Sequence, residues 1–397
     1  MRDGWVETTL GEVSALQMGR TPSRRENSYW TDDLTYPFCT IADMDAKYVE
    51  PKREGVTKAA IIDGKAKMAM KGTLLMSFKL TIGRMGFAAR DIFPNEAIVM
   101  IEADESKVLN EFLYLRLASM DLTEGSGRAV KGSTLNSASI ASIAFLLPPL
   151  PEQKRIVDLI SSVDSYIEAL QQQLESAKRS RNAVLHELLT AGGADWVETS
   201  LGEIADWGSG GTPKADNKEY YGGAIPWCVI GDLTEGEVWE TQKTISQMGL
   251  SNSSAKIIEP GSVLLAMYGA SIGRTGISAI PMATNQAIAF AKCKEENILP
   301  KYLLVYLQTQ KSKFIDMGQG AAQPNISQTI IKSWPITLPS ISQQKKVIER
   351  IESFSKLIQS IDSLVNETKN LRSSLLSDLL SGTHEIPAGY DKVIGAA

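Results

Sequence analysis

The chain repeats itself, and that constrains its fold more than any other feature. Trp5-Val6-Glu7-Thr8-Thr9-Leu10-Gly11-Glu12-Val13 returns 191 positions later as Trp196-Val197-Glu198-Thr199-Ser200-Leu201-Gly202-Glu203-Ile204, changed only at Thr9/Ser200 and Val13/Ile204. Leu147-Pro148-Pro149-Leu150-Pro151-Glu152-Gln153-Lys154 returns at the same offset as Leu338-Pro339-Ser340-Ile341-Ser342-Gln343-Gln344-Lys345. The offset is nearly half of the 397 residues, so the chain carries two similar units. Two similar units present two similar surfaces, an arrangement suited to a target that itself has two halves.

Each unit reads as a mixed α and β body followed by a long helix. Gly72 to Phe78 and Gly261 to Met267 are apolar runs of the kind buried strands make, and 111–117 and 300–307 read as short helices. After Pro151, apolar residues fall at Ile156, Ile160, Val163, Ile167, Leu170 and Leu174. After Ser342 they fall at Val347, Ile351, Phe354, Ile358, Ile361 and Val365. Sustained four-three spacing is the seam of a coiled coil. Gly192-Gly193 and Gly382 supply the helix stops. Arg181 and Arg372 interrupt the two seams at equivalent places; they either fix register or snorkel out of a helix end. The simplest pairing is of the two helices with each other, antiparallel, with the repeats related by a pseudo-two-fold axis. Pairing of each helix with a partner chain is the competing arrangement. The expected fold is thus α+β, with boundaries at 1–150, 151–191 (helix), 192–340, 341–382 (helix) and a tail over 383–397.

Composition removes several classes of function. No window approaches the roughly 20 apolar residues of a membrane span, and Met1 to Trp5 lacks the apolar stretch of a signal peptide, so the expected setting is cytoplasmic. Cys39, Cys228 and Cys293 are odd in number and widely spaced, which fits neither a disulfide framework nor a metal site. The histidines are His186 and His384, too few and too far apart for a ligand cluster or a supported catalytic triad. There is no phosphate-binding Gly-Lys-Ser/Thr loop, and the glycine-rich Gly208 to Gly211 reads as a turn. Asp43 and Asp232 occupy matching places and read as local caps. An enzyme therefore finds little support.

A net charge of −5 argues mildly against a nucleic-acid partner, but the charge is unevenly spread. Residues 64–90 carry Lys65, Lys67, Lys71, Lys79, Arg84 and Arg90 without an acid, and 125–151, 260–294 and 319–340 are also free of Asp and Glu. These windows are either phosphate-facing surfaces or buried strands and turns. Gly19-Arg20-Thr21-Pro22 matches Gly210-Gly211-Thr212-Pro213, and Thr81-Ile82-Gly83-Arg84 matches Ser271-Ile272-Gly273-Arg274. Such motifs supply close backbone approach, hydroxyls and guanidinium forks for a phosphate or base edge, or else tight turns and local ion pairs. The segments 23–70 and 214–259 hardly align, as expected of a common scaffold that reads two different targets.

The Trp-x-x-x-x-Leu-Gly-Glu opening, the Gly-x-Thr-Pro that follows, Ile-Gly-Arg, Asn95-Glu96 and Asn285-Gln286, and the proline-rich lead-in to each long helix recur together, twice and in order. In this the chain resembles, over nearly its whole length, the specificity subunit of a type I restriction-modification system. The resemblance implies two target recognition domains, each reading one half of a bipartite, asymmetric site in double-stranded DNA, and an antiparallel coiled coil that sets the gap. It implies no catalysis and no cofactor on this chain. S-adenosylmethionine would be held by two docked methyltransferase (modification) subunits, and restriction subunits would join for cleavage. The second lead-in departs from the pattern, with Ser340 and Gln343 where the first has Pro149 and Glu152.

Motif position then nominates contacts with DNA. In the first repeat they are Arg20, Thr21, Arg24, Arg25, Lys79, Thr81, Arg84, Arg128, Lys131 and Ser133. In the second they are Thr212, Lys214, Lys218, Tyr221, Tyr268, Ser271, Arg274, Gln323 and Asn325. The alternative reading of the chain is a repeat-containing protein-interaction scaffold with a coiled-coil dimerisation element.

Overall fold

The computed structural model describes residues 4–122, 135–193, 195–318 and 325–390. The chain forms two compact units, Met1–Leu170 with Leu364–Ala397, and Gln171–Ser363. Among the described residues the four longest helices are α1 (Asn110–Ala118), α2 (Leu150–Thr190), α3 (Pro300–Thr309) and α4 (Ile341–Ser381). α2 and α4 each contribute residues to both units.

The first unit is built on β1 (Val6–Thr9), β2 (Ser14–Met18), β3 (Tyr48–Val49), β4 (Leu74–Ser77), β5 (Met85–Ala88), β6 (Ile98–Ala103) and β7 (Ala144–Leu147). A five-stranded sheet runs in the order β2-β6-β4-β5-β3, antiparallel except for the β3–β5 pair. Every residue of β4 is buried. Side chains alternate across a strand, so Leu74 and Met76 enter the cluster that holds α1, while Leu75 joins Cys39, Met44 and Met100 on the other face. Both faces are covered, and this explains why the strand reads as a continuous apolar run.

The second unit repeats this plan with β8 (Val197–Ser200), β9 (Ala205–Ser209), β10 (Glu237–Val238), β11 (Val263–Ala266), β12 (Thr275–Ser278), β13 (Ile288–Cys293) and β14 (Pro335–Leu338). Its sheet order is β9-β13-β11-β12-β10, strand for strand the same. The repeats diverge beside the sheets. In the first, Trp30–Thr31 pairs with Gly55–Val56 and Phe38–Cys39 with Phe93–Pro94. In the second, Tyr221–Cys228, Thr244–Ile245, Ile257–Ile258 and Met282–Thr284 make a four-stranded sheet. The poorly aligning segments fold differently on one scaffold.

The recurring motifs have local causes. In the opening motif Glu12 accepts from the backbone N–H of Thr9 at 2.8 Å and caps the short helix Leu10–Val13; Glu203 does the same for Ser200 at 3.3 Å. This closes a capping box. β1 pairs with β7 and β8 with β14, tying each opening to the following lead-in. The glutamine of each lead-in is a fully buried clamp. Gln153 Oε1 accepts from Leu109 N at 2.8 Å, and its Nε2 donates to the carbonyls of Lys107 and Pro148. Gln344 repeats all three bonds with Leu299, Asn297 and Pro339. The departures nearby are also local: Glu152 accepts from the Trp5 indole at 3.0 Å, whereas Gln343 accepts from Ser340 N.

Within each unit the long helices run antiparallel. In the first, Ile156, Ile160, Ile167 and Leu170 of α2 are buried, as are Val365, Leu379 and Leu380 of α4, and Val163 is half-buried. Ile156 and Ile160 share one core cluster with Leu379 and Leu380. In the second, Leu174, Leu185, Val347 and Ile351 are buried, and Phe354, Ile358 and Ile361 are half-buried. The arginines in the seams lie within continuous helix, so neither marks a loosening end.

Candidate nucleic-acid interface

The antiparallel sheet gathers the motifs at one of its ends. β2 finishes, β6 begins, β4 finishes and β5 begins at the same edge. Gly-x-Thr-Pro follows β2, Asn95-Glu96 precedes β6, and the turn from β4 to β5 carries Lys79 to Arg84. Hydrogen bonds join these segments: Gly19 N to Ile98 O and Arg20 N to Pro94 O at 2.9 Å, Phe78 N to Ala97 O at 3.0 Å, and Leu135 N to Phe78 O at 3.1 Å. The Thr21 hydroxyl donates to Glu96.

The second unit assembles the same edge from residues about 190 positions later. Gly211 N donates to Thr284 O, Met267 N to Ala287 O and Ile326 N to Met267 O, each at 2.9 Å. Thr212 donates to Gln286. A bridge pairs Tyr268 with Asn325. The first glycine of each motif permits the packing, since a Cβ on Gly19 would lie 2.2 Å from Asn95 O and one on Gly210 1.9 Å from Thr284 O.

The nominated residues divide into two groups. Several are engaged in holding the fold. Arg24 forks onto Glu54 at 2.6 and 2.7 Å and lies 3.6 Å over the Trp30 ring; the Glu54 bond holds its pKa above the ordinary guanidinium range. Arg84 and Arg274 donate to the carbonyls of Ile41 and Leu233 at 3.3 and 2.6 Å, pinning each β-turn to the short helix that carries Asp43 or Asp232. Arg20 donates to Gly64 O at 2.7 Å. Tyr221 donates to Pro213 O at 2.7 Å and stands edge-on to Trp227. Ser271 is half-buried, and its carbonyl accepts from Arg274 N.

The other group faces outward. Arg25, Thr81, Lys214, Lys218, Tyr268 and Asn325 are exposed. Lys79 is half-buried with its Nζ 5.3 Å from the Phe78 ring centre. The three lysines make no ion pair among the described residues. Arg128, Lys131, Ser133 and Gln323 lie outside the described residues. Motif position did not nominate Lys65, an exposed cation one residue from the carbonyl that receives Arg20; the acid-free window 64–90 was its signal. This sheet end offers ammonium groups, hydroxyls, amides and one aromatic ring, which suit phosphates and base edges.

Little at the site suits bond-making chemistry. Asp43 accepts from Thr40 N and Oγ1 at 2.8 and 2.6 Å, and Asp232 from Val229 N and Gln242 N at 2.8 and 3.1 Å, so both carboxylates are local caps. Burial pushes the thiols of Cys39, Cys228 and Cys293 up to about 12. Among the described residues no group of three His, Cys, Asp or Glu could hold a metal ion, and no helix is long and apolar enough to cross a membrane.

The chain is similar to known proteins. A model of the family described as "Type I restriction modification DNA specificity domain" matches residues 2–179 and again 193–369. The chain is similar to the putative type I restriction enzyme MjaX specificity subunit of Methanocaldococcus jannaschii, 22% identical over 96% of this chain and 87% of the relative. It is also similar to the HindI specificity subunit of Haemophilus influenzae, 24% identical over 95% and 97% of the two chains. To the EcoR124I/EcoR124II specificity subunit of Escherichia coli it is 26% identical over 66% and 67%. Among solved structures, a chain from work on complex assembly and conformational transition of the type I R-M system superposes with a TM-score of 0.69 at 16% identity, covering 96% and 98%. The S subunit from M. genitalium superposes with a TM-score of 0.54 at 15% identity, covering 96% and 97%.

Proposed function

The chain belongs to the family of type I restriction-modification specificity subunits, whose members are non-catalytic, and from that premise we propose that each repeat reads one half of a bipartite site in double-stranded DNA through the end of its five-stranded sheet. The observation that carries this reading is the gathering of Gly-x-Thr-Pro, Asn-Glu or Asn-Gln and the β-turn at one edge, twice, with free cations and amides around a shared scaffold. Divergent segments beside each sheet accord with two different half-sites.

The long helices act as a spacer. Each has 41 residues, about 62 Å at 1.5 Å per residue. Two methyltransferase subunits dock on this chain and bring S-adenosylmethionine, which supplies the methyl group for adenines turned out of the duplex; restriction subunits join the same complex. This chain supplies position and sequence choice.

The test is a set of substitutions confined to one repeat. Changing Lys214, Lys218 and Asn325 together to alanine should relax or abolish one half of the methylated motif and leave the other half intact, as read by mapping modified adenines across a genome. An unchanged motif, or equal damage to both halves, contradicts the assignment of one half-site to each repeat.

A further inference from the structure

The turn from β4 to β5 holds a residue that the fold does not account for. Leu80 is 84% exposed at its tip, more than any other large apolar side chain among the described residues. Its φ is +64°, a region that side chains other than those of Gly, Asn and Asp rarely enter. Thr81 N donates to Lys79 O at 2.8 Å, closing a three-residue turn around Leu80 in its rare, strained hand. Exposure and strain both disfavour leucine here, and water gives it no packing in return.

The other repeat shows that the scaffold accepts a cheaper residue. Where the first has Phe78-Lys79-Leu80-Thr81, the second has Met267-Tyr268-Gly269-Ala270-Ser271, and its left-handed position, φ +68°, is filled by Gly269. Only glycine takes that conformation without strain. The turn therefore does not require leucine for its shape. In the second repeat the exposed Tyr268 stands on the same turn, so each repeat presents one large side chain there.

The surroundings indicate what the side chain meets. Leu80 lies between Lys79, which makes no ion pair among the described residues, and the exposed Thr81, so a cation and a hydroxyl at the turn itself would hold a polyanion against the tip. Proteins that deform DNA from the minor groove insert single Leu, Ile, Phe or Met side chains between base steps. Strain kept at an exposed site is characteristic of a preorganised contact.

We propose that Leu80 is an intercalating wedge: on binding, it enters the stack of the half-site read by the first repeat and unstacks one base step. The inference rests on the DNA-reading function proposed above. A pyrimidine–purine step is the natural place, because such steps open at least cost. The wedge also selects sequence without a hydrogen bond to any base.

The test uses the full chain assembled with its methyltransferase subunits and a duplex carrying the motif it methylates. Leu80→Gly relieves the strained turn, so the variant should fold and assemble at least as well as the parent. Its affinity for the duplex should fall about tenfold, while Leu80→Met, which keeps a wedge, stays close to the parent. 2-Aminopurine placed in turn through the first repeat's half-site, leaving out the adenine that the methyltransferase turns out, should brighten at one step with the parent and Leu80→Met, and stay dark there with Leu80→Gly. Equal affinity and equal fluorescence for all three proteins would overturn the wedge while leaving the DNA-reading function standing. A parent complex that binds no DNA would remove both.

Discussion

Arg372 forks onto Asp164 across the helix pair of the first unit, with Nη2 2.9 Å from Oδ2, while its counterpart Arg181 in the second unit has no such partner among the described residues. The residue equivalent to Asp164, 191 positions on, is Ser355, and it lines the same cleft of about 530 Å³ as Arg181. Among the described residues Arg181 reaches amide oxygens, Gln308 Oε1 at 3.3 Å and Asn182 Oδ1 at 3.4 Å. The Asp164 bond holds Arg372 above the ordinary guanidinium range, whereas burial pulls Arg181 below it against a smaller opposing pull from Glu235. One seam position thus does different work in the two repeats.

That asymmetry can be repaired. Ser355→Asp should give Arg181 its missing carboxylate and stabilise the chain by about 0.5 to 1 kcal/mol, the usual range for a partly exposed pair. Arg372→Ala should cost about 1 to 2 kcal/mol, because it leaves Asp164 half-buried without its fork. Urea midpoints measure both, and a Ser355→Asp protein weaker than the parent would contradict the equivalence of the two positions.

The clamp glutamines should be intolerant of change. Gln153→Ala leaves the N–H of Leu109 and the carbonyls of Lys107 and Pro148 unsatisfied in a buried place, at a cost of about 3 kcal/mol. Gln153→Glu should fare no better, since it loses both donors and buries a charge. Thermal unfolding checks this, and a Gln153→Glu variant as stable as the parent would show that the clamp is dispensable.

Gly19→Ala should be among the most damaging of small substitutions. Its Cβ would meet the backbone of Pro94 and Asn95, which cannot swing aside, so the segment after β2 must move from the one before β6 at a cost of at least about 2 kcal/mol. Gly210→Ala should behave alike in the second unit. Soluble yield and melting temperature report the effect.

The cysteines should be slow to react in the native chain. With thiols pushed up to about 12 by burial, only about one part in ten thousand is thiolate at pH 8. Raised thiol pKa values favour the neutral form in the folded chain. The stability they protect is therefore complete below the unfolded value near 8.5 and is lost as pH climbs toward 12. A thiol reagent at pH 8 should label neither of the buried thiols, Cys39 and Cys228, within minutes, the half-buried Cys293 slowly, and all three in denaturant. Rapid labelling of the native protein would contradict their burial.

The fold was legible where a pattern is local. Four-three spacing disclosed α2 and α4 because one face of each helix is apolar, and the repeat disclosed the shared sheet. The interface was legible only in part. Arg24 and Arg84 carry the right chemistry for DNA but are committed to Glu54 and to Ile41 O, partners about 30 and 43 residues away that no local pattern links to them. Leu80 gave no signal, because it carries no charge and a positive φ leaves no mark on an apolar residue. Arg181 and Arg372 look alike in sequence; what separates them is the residue opposite, on another helix.

The proposed spacer function has a geometric consequence. One heptad added to each long helix lengthens the rod by about 10 Å, roughly 3 bp of duplex. The gap in the methylated motif should grow by that amount with both halves unchanged. An unaltered gap would show that the helices do not set it.

The most direct measurement is long-read mapping of modified adenines in cells that carry this chain with its methyltransferase, compared with cells lacking this chain alone. Methylation at a single bipartite motif should vanish with the chain, and that motif would yield both half-sites and their spacing. Identical methylation in the two strains would contradict the central claim that this chain chooses the sequence.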